Sequence, residues 1–144
     1  MNLYILDTDH VTLLRRGNAH ITARVSKFAS DEIATTIVTV EEQISGWYAR
    51  IRQARDLDDL ELAYSGLSDV VEWAKTIHVL PFTRSALECY TALRQKFRRH
   101  GKMDLAIAAI VIEHGGRLVT RNRTDFENIP GLVIEDWSVP ITEG

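Results

Sequence analysis

Leu3-Tyr4-Ile5-Leu6-Asp7-Thr8-Asp9-His10 decides how the rest of the chain is read. Four apolar or aromatic residues in a row mark a short, fully buried strand, and the acids arrive at its end. In an open α/β sheet, ligands bind outside the carboxyl ends of the strands. Asp7 is therefore expected at the rim of a buried sheet, facing a crevice. A lone carboxylate buried there is costly and needs a metal, a cation or hydrogen bonds. Asp is also a favoured helix N-cap, so Asp7 or Asp9 equally has a structural reading as the cap of the following helix.

Outward from this strand, apolar strands alternate with helices. Residues 10–16 and 19–28 predict two short helices, the first stopped near Gly17. The β-branched run 33–38 reads as a second strand. Glu41-Glu42 then opens a helix whose apolar side is Ile44, Trp47, Tyr48 and Ile51; acids in a first turn also suit the helix dipole. Residues 56–75 form a long helical pattern with a break expected near Ser65-Gly66, and 77–80 a third strand. Ser85 to Glu88 has capping-box spacing for a helix reaching about residue 99. The segment 103–114 is apolar all round, the mark of a helix buried on most sides, with Asp104 at its N-terminus. A fourth strand at 117–120, a loop at 121–126 and a last strand at 131–134 follow, and the tail beyond Trp137 reads as peripheral. The expectation is one α/β domain over residues 1–144: three layers, with a central, mainly parallel sheet flanked by helices.

Composition narrows the class. The chain has 144 residues, 45% apolar and 26% charged, which predicts a packed globule rather than disorder. A net charge of −3 argues against a generally basic nucleic-acid coat while leaving room for local basic patches. The single cysteine, Cys89, excludes an intramolecular disulfide and a cysteine-cluster zinc site, and suits a small core residue of a cytoplasmic protein. The apolar start is too short for a signal peptide, and no stretch is long enough to span a membrane.

Parallel topology decides where the acids go. Asp7 and Asp125 follow strand ends, Glu41 and Glu42 begin the helix after strand two, and Asp104 begins a helix that leads down into strand four. All these positions fall on the carboxyl edge. Carboxylates packed without basic partners raise one another's pKa, and a divalent cation removes that penalty. Oxygen-only donors suit Mg²⁺ or Mn²⁺, ions that commonly serve phosphoryl chemistry by activating water. The five histidines show no zinc spacing, and His10, near the rim, reads as an ordinary hydrogen-bonded residue.

Leu6-Asp7-Thr8-Asp9, Thr39-Val-Glu-Glu42-Gln-Ile-Ser-Gly46, Asp104-Leu-Ala-Ile-Ala-Ala and Thr120-Arg-Asn122-Arg-Thr-Asp125-Phe resemble the motifs of the PIN-domain family, nearest to VapC-like toxins of bacterial type II toxin–antitoxin systems. The four motifs run in order across nearly the whole chain. The resemblance implies a PIN-like fold and a Mg²⁺- or Mn²⁺-dependent endoribonuclease held inactive by a small cognate antitoxin. Asp7, Glu42, Asp104 and Asp125 would be the catalytic and metal-holding acids, with Thr120, Asn122 and Asp9 as supporting polar groups. Gln43 departs from the family, which usually has an apolar residue there, and the doubled Glu41-Glu42 leaves two candidates for one position. Periodicity alone brings Glu41 nearer the protein body. Gly46, read as permitting close approach of another element, brings Glu42 into the crevice, and the family spacing picks Glu42 too.

An RNA substrate needs cations. Arg94, Lys96, Arg98, Arg99 and Lys102 form a run without an intervening acid, and Arg121 and Arg123 flank Asn122; a solvated helix face is the plain alternative for the run. The helices 41–55 and 57–75, with Trp47, Tyr48 and Trp73, are expected either to dock the antitoxin or to pack on each other. A cytoplasmic homodimer is the expected assembly. Two other readings stand beside the nuclease: a non-catalytic PIN-like module that binds RNA or protein, and a haloacid-dehalogenase-like phosphatase with Asp7 as nucleophile. The phosphatase would want a lysine near the rim, a place Lys102 does not fill.

Overall fold

The computed structural model describes residues 2–141. The stretch Tyr4–Leu6 is strand β1, and it lies at the centre of a five-stranded sheet. Strands β2 (Ile33–Thr36), β3 (His78–Leu80), β4 (Arg117–Val119) and β5 (Val133–Glu135) complete it in the order β3-β2-β1-β4-β5, and every pairing is parallel. β1 thus pairs with an early strand on one side and a late one on the other. Its side chains divide by the two-residue period of a strand. Ile5 joins Ala34, Leu118 and the helices α5 (Arg84–Lys96) and α6 (Lys102–Glu113) in one core; Tyr4 and Leu6 join Val11, Ile21, Ile33 and Val119 in a second core on the other face. That second core is closed by α1 (Thr8–Arg15) and α2 (Ala19–Val25). The expected three layers are present, with a sheet that is parallel throughout among the described residues.

Several expected boundaries move, each for a local reason. β2 stops at Thr36 rather than residue 38, because the Thr36 hydroxyl accepts from the Thr39 N–H at 3.1 Å and starts α3 (Ile37–Gln53). Glu41 and Glu42 therefore sit in the second turn of α3 instead of opening it. The expected break near Gly66 is absent: α4 (Leu57–Ala74) runs through, and Gly66 is buried because the Trp47 indole lies where a Cβ would project, 2.4 Å away. Gly46 is the reverse case, with nothing within 4 Å, so the close approach expected there does not occur. Thr83, not Ser85, caps α5, and that helix ends at Lys96. The loop after β4 contains one helical turn, α7 (Arg123–Phe126). Trp137 is completely buried against Tyr4 and Phe28, with ring centroids 5.2 and 5.3 Å apart, so the peripheral tail begins only after it. No helix among the described residues is long and apolar enough to cross a membrane.

Candidate active site

Asp7 ends β1 and caps α1, its Oδ1 accepting from the His10 N–H at 2.7 Å. The capping reading and the rim reading both hold, since one oxygen serves the helix while the carboxylate, only 5% exposed, faces a cavity of about 480 Å³. Asp9, Glu42 and Asp104 line the same cavity, with Thr8, Ile107, Arg121 and Asn122. The lining contains no lysine, the group a phosphatase of the alternative class would want. Asp125 stands beside it, exposed, accepting from the Asn122 side-chain amide at 2.6 Å. Asp7 at the end of β1, Glu42 on α3 and Asp104 on α6, far apart in sequence, thus line one cavity, and Asp125 on α7 is tied to its rim through Asn122.

Hydroxyls hold this ring in place. Thr8 Oγ1 donates to Glu42 Oε1 at 2.6 Å and lies 3.2 Å from Thr39 Oγ1, one turn before Glu42 on α3. Glu42 is therefore drawn toward α1, while Glu41 is exposed and outside the cavity. Gln43 completes the clamp: its amide donates to Thr12 Oγ1 at 3.0 Å and its carbonyl accepts from Arg15 at 3.3 Å. At Gln43, α1 and α3 are thus joined by polar groups. Buried Thr120 accepts from the Asn122 N–H at 3.0 Å and so orients the turn that carries Asn122 and Asp125. Asp9 lies on the rim in a bidentate pair with Arg121, which ties α1 to the loop after β4. Thr8 and Thr39 are the participants that the sequence reading did not single out; their signal was position, Thr8 beside Asp7 and Thr39 three residues before Glu42.

Electrostatics centre on Asp104. Burial raises its pKa, and the carboxylates of Asp125, Glu42 and Asp7 raise it further, in that order; only the His100 ring works the other way. All-oxygen donors with so little positive compensation fit a hard divalent cation. As they stand, no three His, Cys, Asp or Glu side chains among the described residues are drawn close enough to hold an ion between them.

Of the seven expected cationic groups, Arg121 is engaged by Asp9, and Arg123 is exposed on α7. Arg94, Arg98 and Lys102 line a second cavity next to the first, whereas Lys96 and Arg99 do not face it. The expected aromatic anchors are mostly committed inside the molecule. Trp47 packs on Gly66 in the α3–α4 pair, and Trp73 packs against the second core with the Arg15 guanidinium 5.5 Å from its ring. Tyr48 alone of the three stays about half exposed.

No protein-family model matches the chain. Among curated proteins, Ribonuclease VapC2 of Rickettsia felis is 42% identical over 50 residues, a match covering 35% of this chain and about a third (37%) of that protein's length. Among solved structures, DNA-bound VapBC from Salmonella typhimurium contains a chain with a TM-score of 0.76 and 26% identity, covering 95% of this chain and 99% of that one. VapBC2 from Rickettsia felis, bound to a fragment of its promoter, gives 0.73 and 23%, covering 94% and 98%. The resemblance to VapC-like PIN-domain proteins, read from four short motifs, thus holds at the level of the fold along nearly the whole chain.

Proposed function

We propose that this protein is a Mg²⁺- or Mn²⁺-dependent endoribonuclease, the toxin of a type II toxin–antitoxin pair, acting in the cytoplasm as a homodimer. The observation that carries the reading is the meeting of Asp7, Glu42 and Asp104 in one cavity with Asp125 beside it, the other three acting electrostatically on Asp104. The ribonuclease name of the curated relative supports the activity, and the VapBC complexes support a partner of antitoxin type. A non-catalytic binding module would have no use for four acids kept together against their mutual repulsion.

Asp7 and Asp104, with Glu42 and Asp125, would hold the cation; when bound, it supplies charge neutralisation and activation of a water for attack on a phosphodiester. The chain's own groups do the positioning. Thr8 fixes the Glu42 carboxylate by a short hydrogen bond, and Asn122 does the same for Asp125. The Asp7 carboxylate is anchored by the first turn of α1 on one oxygen, which leaves the other for the cavity. Asp7→Asn preserves the cap, since Asn caps as well as Asp. The test is cleavage of total RNA with Mn²⁺ or Mg²⁺, with EDTA as control: wild type should cut and folded Asp7→Asn should not. An Asp7→Asn variant as fast as wild type overturns the mechanism.

A further inference from the structure

The second cavity has no role in the acid chemistry. It has a volume of about 560 Å³, lies between α5 and α6, and is lined by Tyr90, Arg94, Phe97, Arg98, His100 and Lys102 among others, with no carboxylate in its wall. In a chain of net charge −3, three cations and a histidine facing one cleft without an acid is a marked segregation. None of the three cations is within ion-pair distance of a carboxylate among the described residues. Arg121, on the acid rim, is already neutralised by Asp9 and offers no such charge.

Geometry joins this cleft to the acids. The first turns of α6 form the wall between them: Lys102 and Leu105 face the cleft, while Asp104 and Ile107 face the acid cavity. His100 belongs to the cleft yet acts electrostatically on Asp104. The cleft also offers flat surfaces. The Arg94 guanidinium lies 5.8 Å from the Tyr90 ring centre, and Phe97 meets His100 edge-on at 5.1 Å. Single-stranded RNA is held by this combination, phosphates on cations and unstacked bases on aromatic and guanidinium planes. The volume falls within the range of about 300–1,000 Å³ usual for small-molecule pockets, room for a nucleotide.

We infer that the α5–α6 cleft is a nucleotide subsite for single-stranded RNA, taking a phosphate on Arg94, Arg98 and Lys102 and a base against the Tyr90–Arg94 and Phe97–His100 surfaces, next to the bond cut at the acids. It rests on the nuclease reading for the chemistry at the acids, and the binding it asserts is measured without cleavage. In the Asp7→Asn background, Arg94→Gln/Arg98→Gln should weaken binding of a fluorescent single-stranded oligoribonucleotide at least tenfold. Its slope of log affinity against log salt should be shallower by up to about 1.4, the amount for two lost phosphate contacts on a single strand. Lys27→Gln/Arg52→Gln removes the same charge from exposed positions outside the cleft and should bind as the parent does. With active enzyme, the cleft variant should raise KM with kcat within twofold. Equal weakening by both pairs would reduce the effect to overall charge and overturn the subsite, as would a cleft variant that loses a copurified antitoxin while keeping RNA affinity. Absence of metal-dependent cleavage by wild type, with cleft-dependent binding intact, would overturn the nuclease reading and leave the subsite standing.

Discussion

In the second turn of α3, Glu42 turns toward the Thr8 hydroxyl and Glu41 toward solvent. Glu42→Gln keeps an acceptor for Thr8 and loses only the charge. It is expected to lose most cleavage activity and metal response, while Glu41→Gln keeps both within a fewfold. Parallel rate measurements check this, and the reverse pattern would transfer the site to Glu41. Asp104 supplies a pH signature. Its folded pKa lies above the ordinary carboxylate value, so its stabilising contribution is complete below that ordinary value and is lost as pH rises through the raised one. Metal-free Asp104→Asn should therefore be more stable than wild type near pH 7, and the difference should shrink as pH falls into the carboxylate range; denaturant midpoints across pH 3–8 read it. Asp7 and Asp104 were legible in the sequence because a strand end and a helix start fix their height in the sheet. The Thr8–Glu42–Thr39 contacts were not, because they depend on how α1 and α3 lie against each other, which neither helix's own periodicity encodes.

At the level of elements, the close approach that the sequence suggested at Gly46 is found at Gly66, and neither glycine breaks its helix. Gly46 sits in a helix with open space around it, so Gly46→Ala should stabilise by about 1 kcal/mol through helix propensity alone. Gly66 lies under the Trp47 indole, held there with the Arg50 guanidinium 5.2 Å from the ring. Gly66→Ala should cost about 1–3 kcal/mol by overpacking the α3–α4 pair. Thermal melts of the two variants, run together, separate these effects by sign. A glycine inside an amphipathic pattern shows that the position is special without showing which neighbour makes it so. The selection of Glu42 consequently stood on the family spacing, while the packing argument attached to Gly46 did not survive. The start of α3 was misplaced for a related reason: Thr36, Ile37 and Val38 have strand propensity, and the hydroxyl cap at Thr36 overrides it.

For the whole molecule, alternation of strands and helices was enough to place the acids on one edge, because parallel pairing leaves little freedom in which end of each strand faces the site. Cation binding should therefore act on the entire fold: at a hundredfold excess over Kd, Mn²⁺ should add about 2.7 kcal/mol, or roughly 5–10 °C in Tm. A melt unmoved by Mn²⁺ or Mg²⁺ would count against the metal reading. What the sequence hid was the closure of the second core by Trp137. The Trp137 N–H donates to buried His10 at 3.2 Å, and the His10 ring packs 3.3 Å from the Asp7 carboxylate, so a segment far along the chain lies behind the first acid. Trp137→Ala should cost about 3–5 kcal/mol, checked by urea unfolding. The same closure has a consequence in time. β1 cannot gain its β4 neighbour, nor Asp7 its backing, until β4 and Trp137 have left the ribosome, on the order of ten seconds after Asp7 is made at usual translation speeds. A nascent chain of this protein carries Asp7 and Glu42 out of the exit tunnel long before they can assemble with Asp104, and on the proposed function the ribosome that makes it is spared cleavage until Trp137 has followed.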